Sequence, residues 1–375
     1  MASSVIDIKD CYGCGLCSVV CKYGVIDMKI DENGFFQPYI KDLSACTNCG
    51  LCSRICSYTN ELEDSIPISC YAAWSNDNQV LHTSTSGGVG YEVAKHLLSQ
   101  GYTFCGVRYN AELSRAEHYL ALDQDSLEMS KGSKYLQSFT KDAFSNINIR
   151  NKNLVVGTPC QIASFRRYIE LFNCSENFIL MDFFCHGVPS YLMWKKYLKE
   201  HGGRSVVGIK NVSWRNKQKG WRNSYCITLQ GPQNAYVSWN GNDDFFSMYL
   251  GDACLGKACY DSCKFKYGSS AADLRIGDFW GKTYEANSTG VSSVLVFSQK
   301  ADDILHQSNL TLKGHPLQIV ASGQMRENVK RPWYHKQCMK NLKDEKKLLS
   351  TIALMVRLSK KIKGHFNRLR KNVNR

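Results

Sequence analysis

Cys11-Tyr-Gly-Cys14-Gly-Leu-Cys17-Ser-Val-Val-Cys21 and Cys46-Thr-Asn-Cys49-Gly-Leu-Cys52-Ser-Arg-Ile-Cys56 are two copies of one pattern, CxxCxxCxxxC, and share an internal Cys-Gly-Leu-Cys-Ser. Three thiolates spaced by two residues can wrap a tight loop around three corners of a cube. A fourth, after a short helical turn, reaches the neighbouring cube. The spacing therefore assigns Cys11, Cys14, Cys17 and Cys56 to one 4Fe-4S cluster, and Cys46, Cys49, Cys52 and Cys21 to a second. Gly13, Gly15 and Gly50 let the backbone turn closely around the inorganic core. Structural zinc sites usually separate their CxxC pairs by longer stretches, so two complete runs read as a bacterial-type dicluster ferredoxin domain. The proline that often follows the fourth cysteine is replaced by Lys22 and Ser57.

Working outward, 375 residues suggest two or three domains. The character changes after Asp64-Ser65-Ile66-Pro67, which places a linker near residues 60–70. Beyond it the pattern predicts strands over 154–157, 178–185, 206–213, 224–230, 235–240, 273–279 and 292–298. Helices are expected over 89–100, 161–172 and 191–200. Such alternation indicates an α+β or α/β body with a mixed sheet. The divisions expected are a ferredoxin domain over 1–62, a body in two parts over 68–150 and 151–335, and a tail over 336–375.

Composition narrows the function classes. Eighteen cysteines in so regular a pattern suit a compartment that keeps thiols reduced. No apolar run reaches the roughly 20 residues needed to span a bilayer, and Met1 to Asp10 lacks the apolar core of a secretory signal. A cytoplasmic protein is expected. The net charge of +14 resembles a nucleic-acid signature, yet residues 340–375 carry twelve Lys/Arg against Asp344 and Glu345. The preceding 339 residues hold only +4 of it, so no nucleic-acid partner is expected.

Four motifs mark turns in the body. Ser84-Thr85-Ser86-Gly87-Gly88 precedes a helical pattern and suits either a phosphate or carbonyl at a helix N-terminus or an ordinary N-cap. Lys131-Gly132-Ser133-Lys134-Tyr135 sets two cations beside small residues. Gly157-Thr158-Pro159-Cys160-Gln161 and Cys185-His186-Gly187-Val188-Pro189-Ser190 both follow strands and precede helices, where α/β proteins bind ligands. Farther on, Cys254, Cys259 and Cys263 lie within ten positions. With Cys160 or Cys185 supplying a fourth thiolate they suggest a third 4Fe-4S cluster, with zinc as the alternative.

Taken with Gly277-Asp278-Phe279-Trp280-Gly281, these motifs resemble the coenzyme F420 hydrogenase/dehydrogenase beta-subunit family over roughly residues 1–335. The resemblance implies an FAD-binding oxidoreductase passing electrons between iron–sulfur clusters and an unidentified small-molecule acceptor. It implies that Ser84, Thr85, Ser86, Gly87 and Gly88, with Lys131, Ser133, Lys134 and Tyr135, approach the flavin, a lysine stabilising its reduced form. It also makes Cys160, Cys185, Cys259 and Cys263 the ligands of a cluster near the flavin. The family often has CxxC where this chain has Cys259-Tyr-Asp-Ser-Cys263, so Cys254 is a substitute ligand. Members also occur beside polysaccharide-biosynthesis genes. The alternatives are a non-catalytic electron-transfer subunit of a larger complex and a ferredoxin domain fused to a glycan-related transferase fold.

No strand is followed by GxGxxG, the usual dinucleotide fingerprint, so the expected electron partner is ferredoxin or a similar carrier rather than a nicotinamide. The tail places Leu348, Ile352, Met355, Ser359, Ile362, Phe366 and Leu369 at helical spacing among Arg357, Lys360, Lys361, Lys363, Arg368, Arg370 and Lys371. This basic amphipathic helix suits an anionic membrane surface at the inner face, an acidic redox partner, or a cap on the body.

Overall fold

Asn153–Val156 and Phe178–Phe183 are apolar on both faces, as strands buried between two helical layers must be. A computed structural model describes residues 5, 8, 11–61, 65–202, 206–238 and 243–373, with side chains described as far as residue 362. Part of the expected linker (62–64), the end of the strand expected over 235–240, and the tail side chains from Lys363 to Lys371 lie outside the described residues.

The N-terminal domain runs α1 (Leu16–Val20), β1 (Ile26–Ile30), β2 (Phe36–Ile40) and α2 (Leu51–Arg54), with β1 and β2 paired as an antiparallel hairpin. The body then supplies β3 (Ser69–Ser75), α3 (Val89–Ser99), β4 (Thr103–Asn110), β5 (Arg115–Ala121), β6 (Asn153–Val156), α4 (Pro159–Leu171) and β7 (Phe178–Phe183). After α5 (Tyr191–Tyr197) come β8 (Asn211–Arg215), β9 (Tyr225–Gln230), β10 (Ala235–Val237), α6 (Asp244–Tyr249), α7 (Lys257–Asp261), β11 (Leu274–Asp278), β12 (Ser292–Val296), α8 (Gln299–Gln307) and β13 (Leu310–Gly314). Helices α9 (His335–Lys343) and α10 (Leu349–Val373) close the chain.

Eight strands form one mixed sheet in the order β13-β3-β12-β11-β7-β6-β4-β5. Its centre, β11-β7-β6-β4, is parallel, and antiparallel strands finish both edges. Strands from 68–150 and from 151–335 thus share a single sheet. Alternation along β7 divides its two faces. Ile179 and Met181 pack with Val89, Val93 and Leu97 of α3 and with Ile304 and Leu305 of α8. Phe178 and Leu180 pack on the other side with Ile162, Phe165 and Ile169 of α4.

The ferredoxin-type domain is seated on that second face. Leu16, Val20 and Ile55 enter the same apolar cluster as Phe165 and Phe144. Gln137 fastens the join, accepting from Phe36 N at 2.7 Å and donating to Tyr12 O at 3.2 Å and Phe36 O at 3.3 Å. Thr140 Oγ1 donates to Cys14 O at 2.9 Å, and Lys141 pairs with Asp27 at 2.7 Å.

The fold class is as expected: a mixed sheet with helices and an N-terminal ferredoxin-type domain. Several boundaries differ. The strand expected over 206–213 forms over Asn211–Arg215, and the helix expected from Gln161 begins at Pro159. Proline is pre-set for the first helical position, and the Gln161 side chain accepts from Thr158 N at 2.9 Å. In the tail, the apolar row facing the body is Leu349, Ile352, Ala353 and Val356, whereas Leu348 and Ile362 are exposed. Helix α10 is pinned by Arg357 on Asp244 (2.8 Å) and by Lys360 Nζ on Leu250 O (3.0 Å). The tail caps the aromatic cluster built on Trp194, Trp214 and Phe245. No helix among the described residues is long and apolar enough to cross a membrane.

One buried ion pair joins neighbouring parallel strands. Arg275 on β11 donates from Nε and Nη2 to the two carboxylate oxygens of Asp182 on β7, both at 2.7 Å, and both side chains are fully buried. Ser270 Oγ adds a third bond to Asp182 at 2.7 Å. Removing one partner strands a charge in low dielectric, at about 3–5 kcal/mol. Asp182→Ala is therefore expected to lower the apparent melting temperature in anaerobic calorimetry by several degrees. Glu32→Ala, at an exposed pair with Lys343, is expected to change it little.

Candidate functional site

Strands β6, β7 and β11 end along one edge of the sheet, and the four turn motifs cluster there. Gly157-Thr158-Pro159-Cys160 leaves β6, Phe184-Cys185-His186 leaves β7, and Phe279-Trp280 leaves β11. Two cavities open along this edge, of ≈ 540 Å³ and ≈ 460 Å³. They share a wall that includes Thr158, Gln161, Cys185, Gly187, Phe265 and Lys266.

The first cavity is the cysteine cavity. Cys160, Cys185, Cys259 and Cys263 line it together with Cys11 of the N-terminal domain. Burial pushes the thiols up: Cys259 to about 12, and Cys160 and Cys185 in the same direction, each raised further by its neighbours in the group. A bound cation reverses that effect on a thiol. Gly187 has φ 146°, and a Cβ there would meet Cys259 Cβ at 3.2 Å, so only glycine leaves the loop where it is. Lys266 Nζ donates to Cys185 O at 2.9 Å and His186 O at 3.1 Å. Among the described residues, no three His, Cys, Asp or Glu side chains converge on the position of a single ion. A cubane spreads its ligands over four corners and is met by a wider quartet.

The cysteines of the two N-terminal runs lie close to one another. Burial raises Cys14 to about 11, with Cys56 raising it further, and Cys17 is raised by burial and by Cys14, Cys11, Cys56 and Cys52. The fourth cysteine of the second run is thus drawn to the first run. Cys21, Cys46 and Cys52 meet Cys17 and Cys56 in one apolar cluster with Val25 and Ile26. Gly15 and Gly50 cap α1 and α2 in left-handed conformations, with φ 81° and 71°. Tyr12 lies between this domain and the cysteine cavity, its hydroxyl bonded to Ser262 O.

The second cavity brings together two loops that are far apart in sequence. Ser84, Thr85, Ser86 and Gly88 line it alongside Lys131, Ser133, Lys134 and Tyr135. Ser133 N donates to Thr85 Oγ1 at 3.0 Å, which ties the loops together. The amide of Gly87 donates to Ser292 Oγ at 3.0 Å. The two lysine ammonium groups are engaged within the wall. Lys131 pairs with Glu128 at 2.8 Å and lies over the Tyr91 ring. Lys134 Nζ donates to the carbonyls of Met129, Ser130, Lys131 and Gly132. Burial lowers Lys134 to about 7, and the four carbonyl dipoles oppose that shift.

Arg215 and Tyr267 were not singled out from the sequence, and His186 was named there only within its motif. Arg215 is buried behind the wall, pairs with Asp278 at 3.0 Å, bonds the Tyr135 hydroxyl at 3.0 Å and stacks over Tyr225. His186 Nε2 meets Asp252 Oδ1 at 2.8 Å. The Tyr267 hydroxyl is buried with no hydrogen-bond partner, on a residue with φ 55°. Aromatic residues Phe183, Phe184, Tyr225, Tyr249 and Trp280 supply much of the remaining wall.

Residues 150–316 match the family model for the C terminus of the coenzyme F420 hydrogenase/dehydrogenase beta subunit, and residues 10–60 match that of the 4Fe-4S dicluster domain. The chain joins a 4Fe-4S dicluster domain to a domain resembling the C terminus of the coenzyme F420 hydrogenase/dehydrogenase beta subunit. A solved structure of the F420-reducing NiFe hydrogenase complex from Methanosarcina barkeri is similar at 16% identity, covering 68% of this chain and 85% of that chain with a TM-score of 0.48. No curated protein matches the chain.

The dicluster match makes the N-terminal domain an iron–sulfur electron-transfer domain. Within the beta-subunit-type domain, the cysteine cavity excludes one expected substitute. Cys254 is buried against Met193, its Sγ donating to Met193 Sδ at 3.5 Å, and it lines neither cavity. It follows the turn after α6 and fills the aromatic core, so proximity in sequence to Cys259 does not bring it to the group. The loops over 84–88 and 131–135 lie outside both matched spans.

Gly13 shows how closely the domain join and the cluster loop are coupled. Its φ is +67°, and a Cβ would run into the Phe36 carbonyl oxygen and Gln137 Nε2. Gly24 has φ +63° but open space around it. Gly13→Ala is expected to lower bound iron and visible cluster absorbance after anaerobic purification. Gly24→Ala, which adds only the ~1 kcal/mol of left-handed strain, is expected to retain wild-type iron.

Proposed function

We propose that this chain is an iron–sulfur flavoprotein that carries electrons from its dicluster domain, through a third cluster in the cysteine cavity, to FAD and a two-electron acceptor in the second cavity. The shared wall carries the reading. Cys185 and Thr158 face both cavities, and Cys11 reaches into the first. One-electron and two-electron sites built this way adjoin without an intervening domain.

The donor set supports a cluster held by Cys160, Cys185, Cys259 and Cys263, four half-buried cysteines lining one cavity, with a glycine loop that a Cβ would close. The second cavity supports a flavin on different grounds. Its size is that of small-ligand pockets, and its wall is aromatic. The unpaired Tyr267 hydroxyl costs about 1–3 kcal/mol unless a bound group satisfies it. When bound, clusters pass single electrons and a flavin exchanges them in pairs.

The chain's own residues set the conditions for that exchange. Tyr12 and the Cys160 turn keep the N-terminal domain against the cysteine cavity, with Ser57 Oγ donating to Cys160 O at 3.0 Å. Arg275 donates to Tyr267 O at 2.9 Å; its pair with Asp182 therefore fixes the loop after Cys263 to the strand that delivers Cys185. His186, held by Asp252, forms part of the wall of the second cavity. Gly90 and Gly277 keep its floor open: a Cβ on Gly277 would approach Phe184 to 2.7 Å.

Anaerobic purification with iron, sulfide and flavin analysis tests the reading. About twelve irons and one releasable flavin are expected per chain, from three cubanes. Cys160→Ser combined with Cys263→Ser is expected to remove about four irons and leave about eight. Cys254→Ala is expected to leave the iron count unchanged. A double variant that keeps every iron, or a chain that holds zinc in the cavity, would overturn the third cluster.

A further inference from the structure

We infer that the basic rim of the cysteine cavity is the docking surface for an acidic, cluster-bearing electron-carrier protein. The inference rests on the electron-transfer reading above and adds where the carrier meets the chain. Lys257, Lys266, Arg331, Lys336, Lys340 and Lys343 line this cavity with a single carboxylate, Asp31. Asp31 is already committed, accepting from the amides of Asn33 and Phe35 at 2.9 Å each. Arg331 pairs with Asp261, and Lys343 reaches the exposed Glu32 at 3.4 Å. Lys336 and Lys340, one helical turn apart on α9, are exposed and, among the described residues, have no hydrogen bond or ion pair. Cys338 and Leu342 bury the opposite side of that helix, which fixes the lysine row outward.

The layout favours a protein over a small anion. Lys336, Lys340 and Lys343 run along about 10 Å of helix at 1.5 Å per residue, rather than converging on one point. Trp333 stands beside them 76% exposed, and exposed Trp and Arg are the side chains most enriched among interface anchors. The alternative landing place is the ferredoxin-type domain itself. Residues 1–60 hold five Lys/Arg and six Asp/Glu, which offers an acidic carrier no attraction. On the rim, a docked carrier would face Cys11 of the dicluster domain, where the proposed path begins, across the cavity that Cys160, Cys185, Cys259 and Cys263 also line. Electrostatic steering of this kind raises association rates by about 10- to 1,000-fold and fades with salt.

The test uses the full holoprotein and an acidic bacterial dicluster ferredoxin. Calorimetry with the oxidised carrier reads binding, and anaerobic stopped-flow with the reduced carrier reads electron transfer, both over a range of ionic strength. Lys336→Glu with Lys340→Glu is expected to weaken binding and slow transfer about tenfold or more at low salt, and to flatten the salt dependence. Iron content, flavin content and reduction by dithionite are expected to match wild type. Lys29→Glu with Lys41→Glu, on the exposed side of the ferredoxin-type domain, is expected to behave as wild type. Unchanged binding in the rim variant, or loss only in the domain variant, overturns the inference. So does one-to-one binding of inorganic phosphate in the cavity with carrier binding insensitive to the rim charges. Rim-dependent binding without electron transfer upholds the surface and refutes the electron-transfer reading instead.

Discussion

The parallel alignment of β6, β7 and β11 is the constraint on which the site depends. Strands that run the same way finish on the same edge, and each crossover returns a helix to the sheet before the next strand starts. The turns after β6 and β7 are therefore brought together although they are separated by α4. Cys160 and Cys185 come to face one cavity for this reason. The Asp182–Arg275 pair holds β7 and β11 in register at full burial. Its second set of bonds, to the carbonyls of Phe265 and Tyr267, extends that register into the loop that carries Cys263 and Lys266.

The same edge sets the order of the dicluster domain and the two cavities. The dicluster domain is packed on the α4 face through Leu16, Val20 and Ile55, and is not tethered at a distance by a linker. Gln137 satisfies backbone groups of that domain with both ends of its amide, a specific arrangement that an apolar contact alone would not supply. Cys11 can then share a cavity with the body cysteines. The aromatic-walled cavity lies on the far side of the Thr158–Cys185 wall. The dicluster domain, the cysteine cavity and the aromatic-walled cavity thus adjoin in that order.

Charge is distributed with comparable economy. Inside the second cavity the cations are consumed locally: Lys131 by Glu128, Lys134 by helix-end carbonyls, and Arg215 by Asp278 and Tyr135. Around the cysteine cavity Lys336 and Lys340 of α9 remain directed to solvent. The formal charge of the tail, which dominates the sequence total, is also partly bound, since Arg357 and Lys360 hold α10 to α6. A sum over the sequence does not separate charges that fix the fold from charges that remain for a partner.

The dicluster domain was legible in the sequence because cysteine spacing over two or three residues is a local property. The strands Phe178–Phe183 and Ser292–Val296 were legible for the same kind of reason, as short apolar runs. The strands β4 and β5, at one end of the sheet, were not, because Gly106 and the polar Arg115, Glu117 and His118 break their pattern. Cys254 was misread because nearness along the chain says nothing about which way a buried thiol turns. The pairing of Thr85 with Ser133, the unpaired Tyr267 hydroxyl and the wall between the cavities join residues 48 to more than 100 positions apart. Local sequence determines which chemistry a segment can carry; only the packing of the sheet decides which segments meet, because those contacts are fixed by burial and strand direction rather than by spacing.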